Sequence, residues 1–293
     1  MKIGVIGAGR LGICFALLCE QVGYDVLVSD VRDGYVKNLQ RKIISTNEPE
    51  VAKLLSNSSR LSATTNNLKV IRECDVIYTL VATPSAKDGS YDVSAVCTTN
   101  PGDCAKFQKE LNDLNVDVFY NPEFIAQGTI IKDLRRGDMV LIGGRKNETY
   151  DQLCELYNKI QEIPPKISIM STTAAELVKL AVNCYLTTKI SYANMVGQVL
   201  SLSGMEEEIP TVLGAIGDDS RVGRKYLNFG FGFGGPCLPR DNRAFAAYAK
   251  ELGLDYNLGQ TTDNFNDKHS DFLKENFIYK NIDSLPFYFD YVS

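Results

Sequence analysis

The chain reads as an α/β protein: a doubly wound, mostly parallel sheet, followed by one long helix and a smaller helical domain. Three observations predict this. The first thirty residues run apolar strand, glycine turn, apolar helix, second strand. Short apolar runs recur at Val76–Val81, Val116–Phe119 and Met139–Ile142, the strand-helix alternation that builds a parallel sheet. From Ser171 to about Ser203, hardly a helix breaker occurs until Gly204.

The elements follow in order. Residues 2–6 form the first strand, Gly7-Ala8-Gly9-Arg10-Leu11-Gly12 the turn, Leu11 to Gly23 the helix, and Tyr24 to Ser29 a second strand ending at Asp30. Pro164 and Pro165, just before a short Ile167–Met170 strand, mark a domain boundary. Ser171 or Thr172 can cap the long helix, and Glu176 lies in its first turns. Shorter helices are expected at Ile209–Ile216 and Arg243–Leu252. Residues 1–165 then form a nucleotide-binding domain and 166–275 a helical one. Phe287–Val292 alternates aromatics like a strand, and a lone strand needs a partner, so 276–293 reads as the start of a third domain.

With 293 residues and 44% hydrophobic content, the chain is large enough for two globular domains. A net charge of −5 argues against general affinity for nucleic acid or anionic membranes, though a local basic pocket for a phosphorylated ligand remains open. No apolar run approaches the ~20 residues that span a bilayer. The chain opens directly into a strand, so no signal peptide and a cytoplasmic location are expected. Eight cysteines without a CxxC pair are most simply reduced thiols. A single histidine, His269, leaves little room for a His-based triad or a His-rich metal site, and no metal is expected.

Gly7-x-Gly9-x-x-Gly12 is a weak signal alone, but here it follows a strand, opens a helix, and precedes Asp30 at the end of the next strand. This is the dinucleotide fingerprint of a Rossmann-like fold. Gly7 allows the tight turn, Gly9 lets the pyrophosphate approach, and Gly12 lets helix and strand pack closely. Asp30 can accept both adenosine ribose hydroxyls and favours NAD, while Arg32 leaves NADP open.

Lys179 and Asn183, four apart on an apolar helix, share one face. They either hold a substrate oxygen that gains charge during hydride transfer or bond a neighbouring loop. In Asn121-Pro122-Glu123-Phe124, Glu123 sits near a strand's C-terminal end, as a ligand-facing group or an ordinary turn carboxylate. Thr83-Pro84 and Thr98-Thr99-Asn100-Pro101-Gly102 hold similar positions. The run Gly230-Phe231-Gly232-Phe233-Gly234-Gly235-Pro236-Cys237-Leu238-Pro239-Arg240-Asp241 puts a cysteine on a glycine-lined loop. It is either a nucleophile or an inert thiol in a glycine turn.

Taken in order, these pieces, with Glu48-Pro49, Lys189-Ile190-Ser191 and Arg221-Val222-Gly223, resemble the nucleotide-sugar dehydrogenases that make uronic acids. Asp219-x-Arg221-Val222-Gly223 and the Cys-Leu-Pro-Arg-Asp form look like the UDP-glucose branch, with GDP-mannose oxidation the alternative. The resemblance implies two successive NAD-dependent oxidations at the sugar C6 of UDP-glucose. Cys237 would attack the aldehyde, and the thiohemiacetal would become a thioester that water opens. Lys179 and Asn183 would stabilise the oxyanion, Asp241 with Thr99 and a water would act as base, and Glu123 would assist hydrolysis. The cofactor would meet Gly7, Gly9, Arg10, Leu11, Gly12, Asp30, Thr83, Pro84 and Thr99. The sugar nucleotide would meet Phe124, Ile125, Lys179, Asn183, Tyr226, Phe231, Gly232 and Gly234, with Arg221 reaching a neighbouring subunit of a homodimer.

Three departures stand out. The second acidic residue of the Asn-Pro-Glu-Phe segment is Gln127 here. Only five residues separate Asp92 from Thr98, too few for a parallel crossover. The family's C-terminal UDP-binding domain is represented by no more than its expected first strand. Two other readings remain: a β-hydroxyacid-type dehydrogenase, which needs no cysteine, and an NAD-binding fragment without turnover.

Overall fold

The computed structural model describes residues 1–81, 99–125 and 128–278. They fall into two units, one up to Leu177 and one from Val178. Thr83, Pro84, Thr98, Gln127, the short Asp92–Thr98 segment and Phe287–Val292 lie outside the described residues.

In the first unit, β1 (Lys2–Ile6), β2 (Asp25–Ser29), β3 (Leu61–Thr64) and β4 (Val76–Thr79) form a parallel sheet in the order β3-β2-β1-β4. Ile3 faces Val26 on one side and Val76 on the other. The chain moves outward from β1 through β2 and β3, then crosses back to β4. The order therefore switches beside the C-terminal end of β1, where open α/β sheets bind ligands. Helix α1 (Arg10–Gln21) is buried at every residue from Gly12 to Cys19. A helix apolar all round must be covered all round. The sheet covers one side, and α3 (Val51–Asn57), α6 (Ile130–Arg135) and α7 (Glu148–Ile160) cover the rest. Leu17 and Leu18, each 1% exposed, contribute about 1.5–3 kcal/mol apiece by leaving water. Helices α2 (Asp33–Gln40), α4 (Asn67–Glu73) and α5 (Asp103–Leu111) complete the connections.

A second parallel pair joins β5 (Val140–Gly143) to β6 (Ile167–Met170). The strand expected at Val116–Phe119 does not form. The Gln108 side chain donates to the Val116 carbonyl at 2.9 Å and accepts from the Val118 amide at 2.8 Å. One side-chain amide thus replaces a neighbouring strand, and only Tyr120 pairs, antiparallel to Gly143.

Helix α8 (Thr172–Leu202) runs 31 residues across the boundary between the units. The Ser171 hydroxyl accepts from the Ala174 amide at 3.2 Å, the expected cap. In the second unit, α9 (Ile209–Asp218), α10 (Leu238–Glu251) and α11 (Leu258–Leu273) follow, and α11 runs on into a π-helical turn over Lys274–Ile278. A small core of Ala193, Leu200, Ile209, Leu213 and Leu227 packs α8 against α9 and the following loop. Helix α10 begins five residues before the expected Arg243, because Pro239 is tolerated in a first turn, where the missing N–H has no helical partner anyway. No helix among the described residues is long and apolar enough to cross a membrane.

Candidate active site

The glycine turn behaves as its three positions require. Gly7 has φ +96°, and a Cβ there would stand 2.5 Å from the Leu80 carbonyl oxygen. At Gly12 a Cβ would strike the Gly7 carbonyl oxygen, so the helix reaches the turn only without a side chain. Gly9, the N-cap of α1, has nothing within 4 Å of a Cβ position and no side chain capping it. An open approach to uncapped helix amides suits a pyrophosphate, so the turn fits a dinucleotide. The C-terminal end of β2 carries Asp30, whose two oxygens accept from Arg32 Nε and Nη2, both at 2.8 Å. These bonds hold the Asp30 carboxyl below its ordinary value. Arg10 and Leu11 form the first turn of α1.

Elsewhere in this unit, Thr99 is 1% exposed and its hydroxyl donates to Glu176 Oε1 at 2.6 Å. The same fully buried carboxylate accepts from the Gly102 amide at 2.6 Å and the Cys104 amide at 2.9 Å. Glu176 therefore caps α5 and ties the Thr99–Gly102 turn to α8. Burying a charge costs several kcal/mol, offset here by three charge-assisted hydrogen bonds and a helix N-terminus. Glu176→Ala strands all three donors and is expected to destabilise the protein by about 3 kcal/mol, read as a fall in the urea midpoint. An unchanged midpoint would remove Glu176 from this role. Glu123, Phe124 and Ile125 follow the Tyr120 bridge. Asn121 pins them, donating to the Leu141 carbonyl at 2.9 Å and accepting from the Tyr157 hydroxyl at 2.6 Å.

The second unit assembles the cysteine loop by holding its backbone. The Asn194 side chain on α8 accepts from the Gly230 amide at 3.0 Å. His269 on α11 bonds the Gly230 carbonyl through Nε2 and Gln198 through Nδ1, both at 2.7 Å. Asn266 takes the Phe233 amide at 2.8 Å and gives to its carbonyl at 3.0 Å, the pairing a strand would make. A Cβ at Gly232 would collide with that Asn266 side chain, and Gly235 has φ +75°. Gly230 and Gly234 face open space, and Phe231 is exposed.

This clamp delivers Cys237 to the N-cap of α10, where the thiol is exposed. An oxyanion forming beside it would meet the positive end of the helix. One turn on, Asp241 is fully buried and accepts from Asn183 Nδ2 at 2.7 Å and Arg240 Nε at 3.1 Å. Thr187, one turn beyond Asn183 on α8, donates to Asn242 at 2.9 Å, so two successive turns of α8 fix the start of α10. Lys179 lies one turn before Asn183 on the same helix, half-buried. The structure thus brings Asn183 and Asp241 together at the helix that bears Cys237.

Arg221 projects outward, 88% exposed, and pairs with both oxygens of Asp219 at 3.0 and 2.6 Å. Lys189 Nζ holds this turn to α8 through the carbonyls of Val222 and Gly223 at 2.9 and 2.7 Å. Tyr226 is exposed and left-handed, with φ +61°. Asn194, Gln198, Asn242, Asn266 and His269 were not legible as site residues. Only the helical spacing of Asn183, Thr187, Asn194 and Gln198, polar positions along one apolar helix, hinted at them.

The sheet order and its glycine turn define the class, a dinucleotide-binding α/β fold. The comparisons narrow it. The chain matches the model of the UDP-glucose/GDP-mannose dehydrogenase family, its NAD binding domain over residues 1–102 and 97–161 and its central domain over 173–268. The chain belongs to the UDP-glucose/GDP-mannose dehydrogenase family. Relatives include UDP-glucose 6-dehydrogenase AglM of Haloferax volcanii, 28% identical over 94% of this chain and 73% of its own length. UDP-glucose 6-dehydrogenase TuaD of Bacillus subtilis is 29% identical over 91% of this chain and 63% of its own length. Among solved structures, a UDP-glucose dehydrogenase from Pyrobaculum islandicum superposes with TM-score 0.86 at 26% identity, over 95% of this chain and 71% of that one. A GDP-mannose dehydrogenase from Pseudomonas aeruginosa gives TM-score 0.68 at 25% identity, over 96% and 71%. The chain therefore spans roughly two thirds to three quarters of these relatives' lengths. The two pieces of the NAD-domain match meet at residues 97–102, beside the short Asp92–Thr98 segment.

Proposed function

We propose that this chain serves the NAD-dependent, four-electron oxidation of a nucleotide sugar at C6, with UDP-glucose as substrate and UDP-glucuronate as product. The observation that carries this is the exposed Cys237 thiol at the start of α10, with Asp241 held by Asn183 beside it. A single hydride transfer has no use for a thiol; in an alcohol-to-acid oxidation a thiol can hold the intermediate aldehyde as a thiohemiacetal for the second hydride transfer, and water then opens the thioester. In the first oxidation the C6 hydroxyl loses its proton to a base and its carbon loses a hydride. Cys237 sulfur then adds to the aldehyde carbon, and the new oxyanion takes a proton to give a thiohemiacetal. Loss of the hydroxyl proton and a second hydride leaves a thioester, and water attack releases the acid and restores the thiol. Bound NAD supplies the hydride acceptor in both oxidations, one molecule for each. Asn183 and Lys179, one helical turn apart, offer donors to the oxyanion. The roles of Glu123 and Thr99 rest on the resemblance alone.

The domain division at 1–165 and 166–275 belongs to this proposal, as does a homodimer. Tyr185, Tyr192, Met195, Val199 and Leu202 are exposed along one face of α8, an apolar stripe that a second copy would cover. The test is NADH yield with UDP-glucose, using GDP-mannose for comparison. Two NADH per UDP-glucose is the expected result. One NADH would favour a β-hydroxyacid-type reaction, a preference for GDP-mannose would reassign the substrate, and NAD binding without turnover would make the chain a binding fragment.

A further inference from the structure

The adenosine end of the dinucleotide turn is built differently from a plain carboxylate site. The Arg32 side chain is 59% exposed while that of Asp30 is 7% exposed, so the cation covers the carboxylate and stands on its solvent side. Arg32 commits Nε and Nη2 to Asp30, two of the five N–H donors that a guanidinium carries. Its plane is fixed from below, 4.3 Å from the centre of the Tyr35 ring. Tyr35 is in turn tied to the glycine turn, its hydroxyl donating to the Ala8 carbonyl at 2.8 Å. The Arg32 amide also donates to Asp30 Oδ1 at 3.0 Å.

Two consequences follow. Both Asp30 oxygens are already engaged, so the ribose 2′- and 3′-hydroxyls of NAD must compete with Arg32 for them. The pair is also neutral, so the repulsion by which a bare Asp30 would reject a 2′-phosphate is offset by a preorganised fork with donors to spare.

Resting on the dinucleotide reading above, we infer that this subsite also takes a ribose 2′-phosphate, with Arg32 as its ligand, so that the chain binds NADP(H) as well as NAD(H). The experiment is fluorescence titration of the full chain with NADH and NADPH, repeated with Arg32→Ala and Arg32→Lys. For the unsubstituted chain, NADPH is expected to bind within about tenfold of NADH (~1.4 kcal/mol). Arg32→Ala should raise the NADPH-to-NADH ratio of dissociation constants at least about tenfold, and Arg32→Lys, which keeps the charge but loses the fork, by less. Raising the salt concentration should weaken NADPH more than NADH. NADPH binding more than tenfold weaker than NADH, or an unchanged ratio in Arg32→Ala, would overturn the inference while leaving the cofactor reading intact. Failure of NADH itself to bind would overturn both.

Discussion

Cys237→Ser is expected to stop acid formation, cutting it by about a thousandfold or more, and to lower the NADH yield from two per UDP-glucose to at most one. Serine at the N-cap keeps the helix start intact, since it is among the preferred residues there, so the loss should come without a fall in thermal stability. In the proposed route, what disappears is the polarisable nucleophile that adds to the aldehyde and leaves again as a thiolate when water opens the thioester. Retention of two NADH by the serine variant would end the covalent route. The thiol can also be counted directly. Burial pushes the Cys14 thiol up to about 12, and raises Cys19, Cys104, Cys184 and Cys74 as well. Groups raised in this way stay protonated and unreactive at pH 8. Iodoacetamide should therefore label the Cys237 peptide well before those five, and UDP-glucose should slow that labelling.

The N-terminal half of this picture was legible because its constraints are local. Gly7 must adopt φ +96° and Gly12 must clear a carbonyl, and only glycine does either, so the turn is written in three positions. Helix α1 and the long α8 were equally open to reading, one from unbroken apolar residues after the turn, the other from the absence of breakers. The cysteine loop announced its thiol but concealed its support. Asn194, Asn266 and His269, the last bonded to Gln198, act on backbone atoms of the loop from two separate helices, and a backbone atom leaves no residue-type signature. The helix was expected only from Arg243, but α10 opens five residues earlier, with Pro239 in its first turn, which places Cys237 at its N-cap. Val116–Phe119 misled in the other direction. Its apolar pattern fits a strand, but Gln108 supplies the hydrogen bonds a strand would need.

Gly12→Ala and Gly9→Ala are expected to damage the same turn in opposite ways, and the contrast tests whether it binds phosphate at all. At Gly12 the added methyl meets the Gly7 carbonyl oxygen and lies 3.4 Å from Val5 Cγ1. Neither can yield cheaply, because Gly7 is already left-handed and its amide is bonded to the Ser29 carbonyl at 2.8 Å. Helix α1 must move off a core that also holds Leu17 and Leu18. Overpacking of this kind costs about 3 kcal/mol, which lowers Tm by roughly 6–12 °C in a domain of this size. At Gly9 the methyl enters open space on an ordinary backbone, φ −64°, so stability should change by less than about 1 kcal/mol. The same methyl occupies the approach to the uncapped amides of α1, and NADH affinity should fall at least about tenfold. Calorimetry for Tm and a NADH titration measure both quantities on both variants. If Gly9→Ala bound NADH as tightly as the unsubstituted chain, the pyrophosphate would not lie against this turn, and the geometry of Gly7 and Gly12 would reduce to packing alone.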